Sequence, residues 1–212
     1  MLDRILKLFI NQMSHPLRVR ASQVRRNRSV RDLDKFLTPF IGLNDYSFHT
    51  ALDLGSGEIA ANPFRAERCF GIDIEGNDEC NILSCDLSRN RIPFSDNSIS
   101  CVTAFDFIEH IPRVSIDQDS TRFPFIDLMN EIYRVLTPGG LFLSCTPAYP
   151  FKEVFQDPTH VNFITEDTFP SYFSRDSGSH ICEHAKIYGL KNSFEIIDQA
   201  WLGYRLLTLL RK

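Results

Sequence analysis

Nowhere in this chain do apolar residues run on for the roughly 18 positions a membrane-crossing helix needs, so no spanning segment is expected. Its six cysteines, at 69, 80, 85, 101, 145 and 182, form no C-x-x-C pair. No signal peptide precedes them, and reduced thiols in a cytosolic protein are the expectation. Internal repeats and low-complexity tracts are missing as well. There is no overall basic excess: the formal net charge is −4, which is not a nucleic-acid-binding composition. Also absent is any Tyr-x-x-x-Lys pair, which short-chain reductases and sugar-nucleotide dehydratases would need.

What the chain does contain is core material, with 43% of its 212 residues hydrophobic and 18 of them Phe. That suffices for one domain of generous size. Charge is unevenly spread. Residues 1–35 carry nine Lys/Arg against Asp3, Asp32 and Asp34, so the remainder is strongly acidic. Within that arm Leu2, Ile5, Leu6, Phe9 and Met13 share one helical face, which fits a helix packed on the domain or one lying in a membrane interface. Residues 28–40 look helical again and are expected to stop at Thr38-Pro39. The expected division is a basic helical extension or lid over 1–40 and a single domain over 41–212.

From residue 50 the pattern alternates between strands and helices. Strands are expected at Ala51 to Leu54, Arg68 to Asp73, Cys80 to Cys85, Ser98 to Ala104 and Leu141 to Cys145. Phe125, Leu128, Met129, Ile132, Val135 and Leu136 make a helical stripe, and Thr137-Pro-Gly-Gly140 reads as the tight turn after it. Phe194-Glu-Ile-Ile and Tyr204 to Leu210 read as a closing hairpin. This is an α/β order, implying a mostly parallel sheet with one antiparallel strand.

Three successive strands end in acids, Asp53, Asp73 and Asp86. Open α/β sheets bind ligands outside those strand ends. After the first strand, Gly55 and Gly57 permit a sharp turn with bare backbone against a ligand. Asp73 is suited to a ribose diol, Asp86 to an adenine amino group with Leu87 beside it, and Asp53 to a cationic end. The ligand sketched this way is a nucleoside with a cationic, amino-acid-like tail and no phosphate. The bland alternative for each acid is a cap or turn former.

These residues resemble a known family. Asp53-x-Gly-x-Gly57, Asp73, the block Asp86-Leu-Ser with Ile-Pro-Phe-Ser-Asp-Asn-Ser-Ile-Ser, Phe107-Ile-Glu-His-Ile and Glu131-Ile-Tyr-Arg-Val-Leu-Thr-Pro-Gly-Gly140 are similar to class I S-adenosylmethionine-dependent methyltransferases. The likeness covers residues 48–146 and is to the small-molecule, type 11-like branch. It implies a Rossmann-like, doubly wound, seven-stranded sheet with a C-terminal antiparallel hairpin. It implies S-adenosylmethionine as cofactor, with Asp53, Gly55 and Gly57 at the methionine end and Asp73 with Ile74 at the ribose. Asp86 and Leu87 would flank adenine, and Phe105 and Asp106 would close over the cofactor. Two departures stand out: position 59 is Ile rather than a third glycine, and Asn62-Pro63 shortens or displaces the helix after the glycine turn. Asn62-Pro-Phe and Asp157-Pro-Thr-His-Val161 resemble bacterial methyltransferases of cell-surface polysaccharide pathways.

An alcohol acceptor must lose a proton, and His160, Asp157 and His110 are the candidates. For each histidine the alternative is a structural ring bonded to local backbone or scaffold. A metal held by Glu109, Asp157 and His160 lacks distinctive spacing, and none is expected. Loops 107–124 and 147–180 should form the pocket for a small-molecule acceptor. Arg113, Arg122, Tyr149 and Lys152 would give it polar reach, and Phe123, Phe151, Phe155, Phe163 and Phe169 apolar walls. The expected setting is cytoplasmic, with peripheral contact at the inner membrane through residues 1–13 and homodimerisation both open. The rivals are a nicotinamide enzyme, since Gly55-Ser-Gly-Glu-Ile-Ala60 fits G-x-G-x-x-A, and a non-catalytic membrane-associated relative.

Overall fold

The computed structural model describes residues 29–41, 48–116, 120–175 and 185–212. The amphipathic segment 1–13 and the arginines at 18–28 lie outside the described residues, and so does Cys182. Seven strands form the main sheet: β1 (Thr50–Leu54), β2 (Arg68–Asp73), β3 (Ile82–Ser84), β4 (Ile99–Phe105), β7 (Leu136–Pro147), β8 (Glu195–Leu202) and β9 (Arg205–Arg211). Between β4 and β7 a small antiparallel ribbon, β5 (Ser115–Ile116) with β6 (Thr121–Arg122), stands apart. The order across the main sheet is β3-β2-β1-β4-β7-β9-β8. The first five strands are parallel, and β9 alone runs against its neighbours. The expected mostly parallel sheet with a terminal hairpin is therefore what forms.

Side-chain alternation sorts the strands onto two cores. Leu52, Leu54, Ile72, Val102, Ala104 and Phe142 face one side, where α2 (Pro124–Val135) covers them. The predicted stripe of that helix is buried throughout, from Phe125 to Leu136. Pro124 opens it at a position where a missing N–H costs nothing. The other face presents Ala51, Cys101, Leu141, Leu143, Leu207 and Leu209 to α1 (Leu33–Ile41), whose Phe36 and Leu37 are fully buried. Just before α1, Val30 N donates to Trp201 O, so the chain lies along the exposed edge of β8. Ile132→Ala should cost about 2–5 kcal/mol, because it opens a cavity where nothing can collapse. Urea unfolding followed by the single tryptophan, Trp201, reads that loss directly.

Several boundaries differ from expectation. Helix α1 runs through Pro39 to Ile41 instead of stopping before it. The proline sits in the last turn, where it removes one hydrogen bond, and burial of Phe36 and Leu37 holds the helix regardless. Strand β7 starts directly after α2, and Thr137 to Gly140 form a bulge within it, not a separate turn. Pairing shifts between Ile99↔Leu136 and Cys101↔Leu141, and Gly139 takes up the bulge at φ +78°. Finally, the alternation of strands with helices fails in the first half. Residues 55–67 and 85–98 form turns and carry no helix, and 74–81 hold only a 3₁₀ turn, Asp78–Cys80. Asn62 explains the first case. Its side chain bonds both N and O of Ala66, closing a tight loop that Pro63 cannot re-enter as helix.

Candidate functional site

The glycine turn sits at the carboxyl end of β1. Gly55 has φ +68° and Gly57 φ +60°, and Gly55 N and Ser56 N both donate to Ile72 O. A Cβ on Gly55 would stand 2.3 Å from Phe107 Cδ2, whereas nothing lies within 4 Å of one on Gly57. Gly57 therefore offers open, bare backbone. Asp73 reaches across it: Gly57 N donates to Asp73 Oδ2 at 2.8 Å and Ile74 N to Oδ1 at 2.7 Å. Each of these oxygens keeps a further lone pair, enough to accept a pair of hydroxyls. Ile74 beside it is 65% exposed, an apolar side chain standing at the rim without cover.

Asp53 behaves differently from its two counterparts. It is 3% exposed and lies on the α1 face of the sheet, opposite its register partner Thr103. Thr103 Oγ1 donates to Asp53 Oδ1 at 2.6 Å and Ala61 N to Oδ2 at 2.8 Å. Its carboxylate thus pins the far end of the glycine loop from beneath. Burial pushes its pKa up to about 6, against the pull of those two hydrogen bonds.

Being raised, that pKa works against stability as pH climbs. Between about pH 4 and pH 6 the folded chain holds a proton that the unfolded chain has released, so unfolding free energy falls across this window by up to about 3 kcal/mol. Asp53→Asn cannot ionise, and the Thr103 hydroxyl can turn to accept from the new amide. The variant should lose about 3 kcal/mol less than wild type between pH 4 and pH 7 in paired denaturant titrations. Identical slopes would show that Asp53 does not titrate there.

At the outer strands, Ser88 N and Oγ both donate to Asp86 Oδ1, so the acid shapes its own turn and leaves Oδ2 facing Arg89 at 3.5 Å. Leu87 next to it is buried in the core. Phe105 ends β4 half-buried, and Asp106 follows with φ +46°. Arg205, from the antiparallel strand, grips Asp106 with two nitrogens at 2.7 Å. That bidentate pair holds the guanidinium's proton more tightly than usual. Arg205 gave no signal in the sequence, standing 99 residues from its partner.

Beyond the ends of β4 and β7 the candidate catalytic residues come together. The 3₁₀ turn Ile108–His110 follows Phe107, and the rings of His110 and His160 meet edge to face with centroids 4.9 Å apart. Between these elements Glu109 is 2% exposed. Thr146 Oγ1 donates to its Oε2 at 2.6 Å, and its Oε1 has no partner among the described residues. Burial raises the carboxyl's pKa above the usual range. Asp157 lies 4.0 Å from His160, too far to orient it. It acts instead on His110: Thr159 Oγ1 donates to Asp157 Oδ1 at 2.6 Å and stands 3.0 Å from His110 Nδ1. His160 is oriented by backbone, its Nδ1 lying 2.9 Å from Val154 O.

Asn162, fully buried, joins this cluster to a neighbouring cleft. Its N donates to Glu109 O, its Nδ2 to Ile108 O, and its Oδ1 accepts from Arg113 Nε. The cleft has a volume of about 580 Å³, with Arg113, Phe123, Phe163, Tyr172 and Tyr188 among its walls. Its lining comes from residues 113–126, from 163–173 and from Tyr188. Other expected wall residues lie elsewhere. Phe169 is in the core, Phe151 packs on Trp201, and Arg122 lines a separate cleft beside Asp127.

The turn after Gly57 carries no helix, so it lacks the N-terminal dipole on which a dinucleotide's pyrophosphate rests. Comparison with known proteins agrees with a different cofactor class. A family model described as Methyltransferase domain matches residues 22–190. Among solved structures, the chain is similar to one from the complex between the Haloferax volcanii Trm112 methyltransferase activator and a methyltransferase (15% identity, TM-score 0.52, 84% of this chain and 86% of that one). It is also similar to a SAM-dependent methyltransferase from Archaeoglobus fulgidus (14%, TM-score 0.51, 85% and 91%). A Bacillus halodurans methyltransferase gives 17% and TM-score 0.51 over 78% and 70%. No curated protein sequence matches. With the family model spanning most of its length, the chain belongs to the methyltransferase-domain family, in its class I form with S-adenosylmethionine as cofactor.

Proposed function

We propose that this chain methylates a hydroxyl of a small molecule, a sugar or nucleotide-sugar precursor, bound in the cleft beside Glu109, His110 and His160. Bound S-adenosylmethionine supplies a methyl group on a sulfonium, which passes in line to a nucleophile while the sulfur keeps the bonding electrons. The open Gly57 backbone and the Asp73 carboxylate fit the donor's nucleoside. Ile74 would cover the adenine side, and the buried charge of Asp53 would favour the cationic end. Phe107, wedged against Gly55, fixes the spacing between the glycine turn and the 108–110 turn. Alignment of this kind is the protein's main contribution to such a reaction.

The observation that carries the acceptor reading is the hub at Asn162, which couples the aromatic cleft to Glu109. Phe123, Phe163, Tyr172 and Tyr188 offer faces for a sugar ring. The hydroxyl's proton would leave on the side of Glu109, His110 and His160. Incubation with a labelled methyl donor and a panel of sugars, nucleotide sugars, amines and thiols tests the reading. Label on an oxygen of a sugar supports it, and label confined to amines or thiols overturns it.

A further inference from the structure

We infer that Glu109, His110 and His160 form a binding site for one divalent transition-metal ion of the zinc type. A donor atom from each of the three lies within 4.8 Å of the others. The hydrogen-bond directions show what those atoms carry. Val154 O is a carbonyl and only accepts, so His160 Nδ1 bears a hydrogen. Thr159 Oγ1 gives its own hydrogen to Asp157, and Thr159 O only accepts, so His110 Nδ1 is likewise the donor. Each ring then has Nε2 as the nitrogen available to a ligand, that of His160 lying 4.0 Å from Asp157 Oδ2. Glu109, 2% exposed, adds Oε1, the oxygen that Thr146 does not engage and that has no hydrogen-bond partner among the described residues.

Three potential ligand atoms thus converge at the ends of β4 and β7. A buried, unpaired acceptor such as Glu109 Oε1 costs free energy, and a cation shared with the two rings would satisfy it. Two imidazoles and a carboxylate are a borderline-soft set that suits zinc, with positions left open for water or substrate. Magnesium and calcium prefer all-oxygen sites. Zinc bonds of about 2.0–2.2 Å would bring the ligands to roughly 3.3 Å apart, so each side chain closes in by about 1 Å. The outer contacts already match the habit of metal-binding histidines, whose second nitrogen donates to a carbonyl or a carboxylate-linked group. Resting on the methyl-transfer reading above, the ion would take an acceptor oxygen in its open position and ease release of that hydroxyl's proton to water.

The test uses the full-length, tag-free, chelator-treated protein. It is titrated with Zn²⁺ by calorimetry and with Co²⁺ by visible absorption, while S-adenosylhomocysteine affinity is measured in parallel. One ion per chain at micromolar or tighter affinity is expected, with Glu109→Gln, His110→Ala and His160→Ala each at least tenfold weaker. Thr159→Val, which leaves all three ligands in place, should weaken the ion about 10-fold or more through the outer contact. S-adenosylhomocysteine should bind all four variants as it binds wild type. Saturation absent up to 100-fold above the protein concentration, or ion affinity unchanged in both histidine variants, overturns the site. Failure of the wild type to bind S-adenosylhomocysteine would instead strike at the methyltransferase reading.

Discussion

Replacing Asp73 with alanine is expected to weaken S-adenosylhomocysteine binding roughly 100-fold or more, since two hydrogen bonds to a charged acceptor contribute about 1.5–3 kcal/mol each. Asp73 does two things at once. Its oxygens hold Gly57 N and Ile74 N, which keeps the glycine turn in the shape a nucleoside needs. On the proposed reading, their remaining lone pairs accept the ribose hydroxyls. Alanine removes both functions. Asp73→Asn keeps the shape but turns an amide toward a backbone N–H, and its loss should be intermediate. The residue is part-exposed at a strand end, so melting of the ligand-free protein should shift far less than affinity does. Calorimetry checks this, and an alanine variant binding within threefold of wild type would remove Asp73 from the cofactor site.

Gly55→Ala should destabilise the fold by about 2–5 kcal/mol, from a left-handed backbone cost of about 1–2 and an overpacking cost of about 1–3. The added Cβ would stand 2.3 Å from Phe107 Cδ2 at a φ of +68°. Phe107 begins the 108–110 turn, so relief of the clash by moving it would also displace Glu109 and His110. Combining Gly55→Ala with Phe107→Ala separates the two costs. The double variant should recover part of that overpacking cost of about 1–3 kcal/mol relative to additivity. The ring contacts at 2.3 and 2.7 Å go, while the 2.9 Å approach to the Phe107 Cβ and the backbone strain stay. Urea unfolding of the four proteins gives the coupling. Strict additivity would mean that the glycine turn and the 108–110 turn are mechanically independent.

Much of this architecture is legible in the sequence, and the misses have particular causes. Strands β1 and β4 show as apolar runs because both their faces are covered. Helix α2 shows because its stripe is regular from Phe125 to Val135. The bulge at Thr137 to Gly140 is hidden, since turn-forming residues there are overridden by pairing on both sides, Gly140 O accepting from Lys212 N. Crossovers without helices are hidden for a similar reason: Asn62 closes its loop through side-chain bonds that no periodicity records. At the site, Gly55, Gly57 and Asp73 fall where their spacing suggests. The inward turn of Asp53 follows from strand alternation together with its Thr103 partner, and only the register reveals that partner. His110 and His160 are visible as candidates. Their convergence with Glu109 depends on Thr146, Thr159 and Asn162, contacts spanning 37 to 54 residues with no local signature.

The most direct measurement of the central claim is calorimetric titration of the purified chain with S-adenosylhomocysteine and, separately, with NAD. The account predicts saturable one-to-one binding of S-adenosylhomocysteine that Asp73→Ala weakens roughly 100-fold or more, and no heat from NAD. Tight binding of NAD with no response to S-adenosylhomocysteine would contradict it.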